Sequence, residues 1–190
     1  AETGLIRGIL GPISKLIDVD KKYSMAIEAA LANAIQNIVT DTESNAKQAI
    51  NFLKSNKAGR ATFLPVNTIK AREFKESGFE TQDGYIGIAS DLVKCDNKYK
   101  EIVKYLLGAV IVAEDIDYAT AIAKKQGYRV KVVTLDGQVV NVGGSLTGGS
   151  VAKNAGLLSR SNDIKAIELE IENLKAKANK LSKDYADAQS

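Results

Sequence analysis

The spacing of apolar and polar residues predicts alternating helices and strands. From Lys21 to Asn37, the positions Tyr23, Ile27, Leu31, Ala34 and Ile38 fall on one helical face. Gly8, Gly11 and Pro12 predict an irregular approach to that helix. A short β-like run, Asn37 to Asp41, follows, and Thr42 or Ser44 is placed to cap a second helix. Its stripe is Ala46, Ala49, Ile50 and Leu53, with Gly59 standing where a terminating glycine would. Arg60 to Leu64 reads as a strand stopped by Pro65. Val66 to Gln82 has only Ile69, Phe74 and Phe79 as anchors and reads as a connector. Beyond a strand at Tyr85 to Ala89, the order returns: helix Lys98 to Leu107, strand Ala109 to Val112, helix Ile116 to Gln126, strand Arg129 to Thr134.

This is a degenerate internal repeat. Lys22-Tyr23, an apolar helix and Val39 match Lys98-Tyr99, an apolar helix and Val112; Asp41, Thr42 and Ala46 then fall opposite Glu114, Asp115 and Ala119. Each unit is too small to cover both faces of its own sheet, so the two are expected to pack together in a mixed α/β fold. The expected division is 1–82 for the first subdomain and connector, 83–160 for the second, and 161–190 for a separate helix.

After the second unit, Asp136-Gly137 predicts a two-residue hairpin returning into Gln138 to Val142. Gly143-Gly144-Ser145-Leu146-Thr147-Gly148-Gly149-Ser150 then concentrates glycine directly after a strand. Such a stretch cradles phosphate, stays a flexible loop, or lets another backbone come close. The phosphate-loop spacing is met by Gly143 and Gly148, but Gly149 stands where that loop needs lysine. Close approach of a second chain is the preferred reading, with Gly143, Gly144, Ser145, Leu146, Gly148 and Gly149 as the contact.

From Asn162 or Asp163, taken as the helix cap, apolar residues recur at Ile164, Ile167, Ile171, Leu174, Ala178, Leu181, Tyr185 and Ala188. Alternating steps of three and four are the seam of a coiled coil, narrower than the stripe of a helix packed on a globular core. The mate of this helix is expected upstream, in a part of a longer protein that this sequence does not include.

Composition narrows the chemistry. The 190 residues are 45% hydrophobic, with 26 Lys and Arg against 23 Asp and Glu, a net charge of +3 that permits a local nucleic-acid patch without announcing one. Histidine is absent and Cys95 is the single cysteine, which removes Ser-His-Asp and Cys-His sites, imidazole-based zinc sets and an intrachain disulfide. No metal or cofactor is expected. No apolar run approaches the length of a membrane span, and a reducing cytoplasm fits best. Asp41, Glu43, Glu114 and Asp115 lie near strand ends where α/β catalysts gather, but their matched positions point to helix capping.

Several stretches, in order, resemble the hinge domain of SMC (structural maintenance of chromosomes) proteins of prokaryotic type. They are Gly8-Ile9-Leu10-Gly11 with Leu16-Ile17; Tyr23 with Ala26 to Leu31; Asn37-Ile38-Val39; Gly59 to Pro65; and Val133 to Gly137 leading to Gly143 to Gly149. Val142 departs from the proline of many members. The resemblance implies two pseudo-repeated subdomains and a ring-like homodimer with the glycine segment at the subunit contact. It also implies coiled-coil arms and a nucleoid-associated setting in chromosome condensation and segregation, with the ATPase in a head domain outside this chain. DNA contact near the root of the arm is implied too. Here only Lys153, Arg160 and Lys165 are available for it, so weak, salt-sensitive, sequence-independent binding is expected. The competing reading is a ligand- or protein-binding α/β module inserted in a generic coiled-coil scaffold.

Overall fold

The computed structural model describes residues 7–71, 77–150 and 156–188, without the side chains of Ser161 and of residues 183–188. Three short elements precede the first predicted helix: β1 (Ile9–Pro12), the single turn α1 (Ile13–Leu16) and β2 (Ile17–Val19). Three or four residues are too few to display a period, so this stretch reads as irregular in the sequence.

The helix predicted from Lys21 to Asn37 is broken. A 3-10 turn at Lys21–Tyr23 leads into α2 (Ser24–Leu31), and a second 3-10 turn covers Ala32–Gln36. The break falls at Ala32, with φ +47°, and buries Ile35 where the periodicity favoured Ala34. Carbonyls left open at this end accept hydrogen bonds from Lys131 Nζ, Ala29 at 3.3 Å and Ala30 at 2.9 Å. Burial holds the Lys131 ammonium below the usual lysine range.

After β3 (Ile38–Thr40), Thr42 caps α3 (Glu43–Ser55), its hydroxyl accepting from Asn45 N at 3.2 Å. Ala46 and Ala49 are buried, whereas Ile50 is exposed and Leu53 half-buried, so the core stripe is narrower than predicted. Lys57, not Gly59, makes the left-handed turn directly behind the helix. The strand β4 (Phe63–Pro65) is shorter than predicted and includes Pro65. Proline is admissible there because β4 is an edge strand and no ladder bond is asked of its nitrogen.

The second half repeats this order with β5 (Tyr85–Ile88), a 3-10 turn, β6 (Val93–Cys95), a second 3-10 turn, α4 (Lys100–Leu107), β7 (Val110–Ala113), α5 (Ile116–Lys125) and β8 (Lys131–Thr134). Then come β9 (Val139–Val140), β10 (Leu146–Thr147) and the long α6 (Leu157–Ala188). The correspondence extends further upstream than Lys22. Asp41 N donates to the carbonyl of Gly8, and Glu114 N to that of Gly84, each at 2.9 Å.

One sheet has the order β1-β3-β4, a five-stranded sheet runs β10-β9-β8-β7-β5, and β2 pairs antiparallel with β6 to bridge the halves. One continuous core runs through both, Ile13, Ile27 and Val39 packing with Ile102, Val112 and Val133. A second cluster lies beneath α5, where Phe79 of the connector meets Ile111, Ile122, Val132 and Val140. Burying each such aliphatic or aromatic side chain contributes about 1.5–3 kcal/mol, so neither half has a reason to exist alone.

Candidate dimerisation edge and arm root

The glycine-rich segment is a hairpin. Leu146 lies opposite Val140 and Thr147 opposite Val139. Asn141 secures the turn: its N–H donates to the Ser145 carbonyl at 2.8 Å, and its side-chain amide reaches Ser145 O and Thr147 Oγ1, both at 3.2 Å. Gly143 and Gly144 have φ of +87° and +92°, which only glycine adopts freely. Gly144 also lies against the Tyr128 ring, and a Cβ on Gly148 would collide with the Gln138 amide. That amide clasps Gly149 at both ends, accepting from its N–H at 2.9 Å and donating to its carbonyl at 3.1 Å. Much of the glycine content thus answers to the hairpin's own backbone. Substituting Gly143 and Gly144 would strain this turn as well as any contact beyond it.

The turn before β9 also differs from expectation. Thr134 N donates to the Gln138 carbonyl at 2.9 Å, enclosing Leu135, Asp136 and Gly137 as a three-residue loop with Gly137 at φ +87°.

Among the edge strands of the described residues are β10 in the larger sheet, opposite β5, and β4 in the smaller, opposite β1. The Asn141–Ser145 bond makes Val140 and Leu146 the non-bonded pair, so the Leu146 N–H and C=O point outward. On β4, Thr62 O accepts from Ile38 N and Val66 N donates to Thr40 O, which by alternation turns the Phe63 N–H and C=O outward. Val142 and Leu146 beside the first edge are 63% and 62% exposed, and Ile50 and Phe52 on α3 are exposed in the half that carries the second. Sequence periodicity could nominate the glycines but not the open edge of β4, whose three residues look like any buried strand.

The arm does not begin at Asn162. Helix α6 starts at Leu157, and Leu158 is only 3% exposed, embedded in the shared core. Its first turn is capped from across the fold, Leu158 N donating to the Glu28 carboxylate of α2. Asn162, expected as the cap, donates instead to Val19 O and Ser24 Oγ, both at 3.0 Å. Asp163 pairs with Lys21 at 3.2 Å and Lys165 with Asp18 at 2.7 Å. The Lys165 hydrogen bond holds the Asp18 carboxyl below its usual range.

Beyond this root the seam is bare. Ile164, Ile167, Ile171, Leu174 and Leu181 are 45–72% exposed, and Ala178 is exposed too; the Tyr185 side chain lies outside the described residues. Of the residues expected to meet DNA, Lys153 lies outside the described residues and Lys165 is engaged with Asp18. Arg160 and Lys165 share with Lys15 a cleft of about 610 Å³ at the foot of the arm. Three of the four strand-end carboxylates do structural duty, though only one caps a helix: Asp115 caps α5 through Asp117 N at 2.9 Å and Tyr118 N at 3.0 Å, Asp41 pairs with Lys98, and Glu43 with Lys47. Among the described residues no cluster could hold a metal ion, and no helix is long and apolar enough to cross a membrane.

The chain is 42% identical over 169 residues to the chromosome partition protein Smc of Halothermothrix orenii, the match covering 87% of this chain and 14% of that protein. Its fold overlays an asymmetric dimer of the Geobacillus stearothermophilus SMC hinge domain with a TM-score of 0.85 at 42% identity, covering 94% of this chain and 73% of the other. The Pyrococcus furiosus Smc hinge domain with an extended coiled coil gives 0.67 at 31% identity, over 98% of this chain and 68% of that one. The family described as SMC proteins Flexible Hinge Domain matches residues 6–123. With more than half of its length matched and a mixed α/β architecture that overlays solved hinges, the chain belongs to the SMC hinge family.

Proposed function

We propose that this chain joins two copies of a longer chromosome-partition protein by mutual sheet extension, and that it needs no cofactor to do so. The observation that carries the reading is the mismatch between the two halves. In the larger sheet, β8 is flanked by β9, with Val132 opposite Val140. Phe63 occupies on β4 the place of Val132 on β8, and no strand among the described residues pairs with its outer side. A partner's β10, carrying Leu146 opposite Phe63, supplies the missing antiparallel neighbour, and two-fold symmetry makes the same contact twice. Val142 and Leu146 would then be covered in the dimer. The bare α6 seam calls for a second helix to form the arm, and catalysis of the parent protein lies outside this chain.

Light scattering across a dilution series tests this reading. A mass of twice the chain is expected down to the lowest concentrations, and a monomer throughout would overturn it.

DNA contact is a secondary reading, favoured by the meeting of Lys15, Arg160 and Lys165 in one cleft. Because only these few cations converge, binding should be weak, indifferent to sequence and steeply lost with salt.

A further inference from the structure

Extending the repeat to Gly8 and Gly84 keeps the spacing of Lys22 and Lys98, so from β1 to α2 the halves align without a gap, and the positions that seat the arm acquire counterparts; the second half is three residues shorter only beyond this stretch, before β7. Asp18, Ser24 and Glu28, which hold Lys165, Asn162 and Leu158 N, correspond to Lys94, Lys100 and Lys104. These three positions are lysine in the second half, while Lys21, which pairs with Asp163, has Asn97 as its counterpart. In the first half this surface is filled by α6. In the second half it remains an open cleft of about 370 Å³, floored by Val93, Cys95 and Val103, with the three lysines exposed around it. None of these lysines makes an ion pair among the described residues.

We propose that the cleft between β6 and α4 is a second helix-docking groove, which receives an acidic amphipathic helix of a partner protein. The apolar floor and the matching backbone fit a helix, because the same frame already holds one in the first half. Charge decides which helix. Glu28 suits the N-terminal, positive end of α6, whereas Lys104 in the same place suits carboxylates or the negative, C-terminal end of a helix. Lys100 and Lys104, one turn apart on α4, and Lys94 on the neighbouring strand line the cleft together with Ser90 and a single carboxylate, Asp91, so cations outnumber anions there three to one. An apolar stripe flanked by Glu meets both parts of this surface, whereas a nucleic-acid backbone would meet the lysines and leave the half-buried Val93 and Cys95 uncovered.

Cys95, the only cysteine in the chain, lies on the floor and reports occupancy. Burial pushes its thiol up, so alkylation is followed at mildly alkaline pH. The probe is a blocked peptide of about 20 residues, long enough to be helical, with Leu on one face and Glu on the other. A version with Lys in place of Glu and a short DNA duplex serve as comparisons. With the intact chain, the acidic peptide should slow Cys95 alkylation at least about fivefold. The K94E/K100E/K104E variant should bind it at least about tenfold more weakly, while K175E/K177E/K180E, with the same change in net charge, should bind as the parent does. Lys104→Gln alone gives a smaller loss in the same direction, should the triple variant fold poorly. Unchanged alkylation, equal losses in the two triple variants, or protection of Cys95 by duplex DNA but not by the peptide would each overturn the proposal.

Discussion

The two halves of this hinge share one frame and finish it differently. The first leaves its sheet open at β4 and fills its outer groove with the root of α6. The second closes over β8 with the β9–β10 hairpin and leaves its groove open, lined by lysine. What one half lacks, the other displays: an outward strand on β10, an unflanked strand on β4. A duplicated unit that kept both halves identical would have nothing to offer a second copy of itself, or would stack without end. In the proposed dimer, divergence at the edges is what would let two chains close a ring.

The sharpest way to break the comparison is the same substitution at matched positions. Phe63→Pro removes an outward N–H and leaves the β3 ladder intact, so the chain should stay folded while its dimer weakens by about a hundredfold or more in sedimentation equilibrium. Val132→Pro strikes the equivalent residue within the sheet and should cost about 3 kcal/mol or more of stability, visible as loss of cooperative unfolding.

A second pair contrasts the grooves. Glu28→Ala uncaps α6 and should cost about 1–2 kcal/mol in denaturant unfolding, with faster amide exchange at Leu158. Lys104→Ala, its counterpart beside an unfilled cleft, should stay within about 0.5 kcal/mol of the parent.

The smallest effect is pH-dependent. Asp18 has a folded pKa below its unfolded value, so its contribution is complete above the ordinary carboxylate range, near pH 4, and is lost as pH falls through the folded value. The pair with Lys165 is exposed and screened, so the change should be under about 1 kcal/mol. Asp18→Asn should flatten that part of the stability profile, and Lys94→Gln, which removes a lesser charge acting on the same carboxyl from the paired strand, should flatten it less.

Several features were legible without coordinates because they rest on local chemistry. Thr42 and Asp115 cap helices as their positions suggested, the α6 seam follows its heptads, and the repeat shows in Lys22-Tyr23 and Lys98-Tyr99. The misses are equally local in cause. β1, β2 and β6 are too short to carry a period, and β2 finds its partner only in the other half. The end of α2 at Ala32 leaves no sequence mark, because the residues that make it tolerable, Ile35 in the core and Lys131 on the open carbonyls, are supplied by packing. Asn162 has the chemistry of a cap, but Glu28 reached the first turn from another element.

By itself, the sequence determined that two α/β units recur, that a glycine-rich segment follows the second and that a long helix with heptad spacing comes after it, since periodicity and backbone permissiveness belong to neighbouring residues. Only the tertiary structure decided that the glycines fold into a hairpin, that β4 is the edge left unpaired, and that α6 is rooted in the first half although it follows the second in sequence. Strand order and helix docking depend on contacts between residues distant along the chain, and no local pattern records which of several apolar segments will lie beside which.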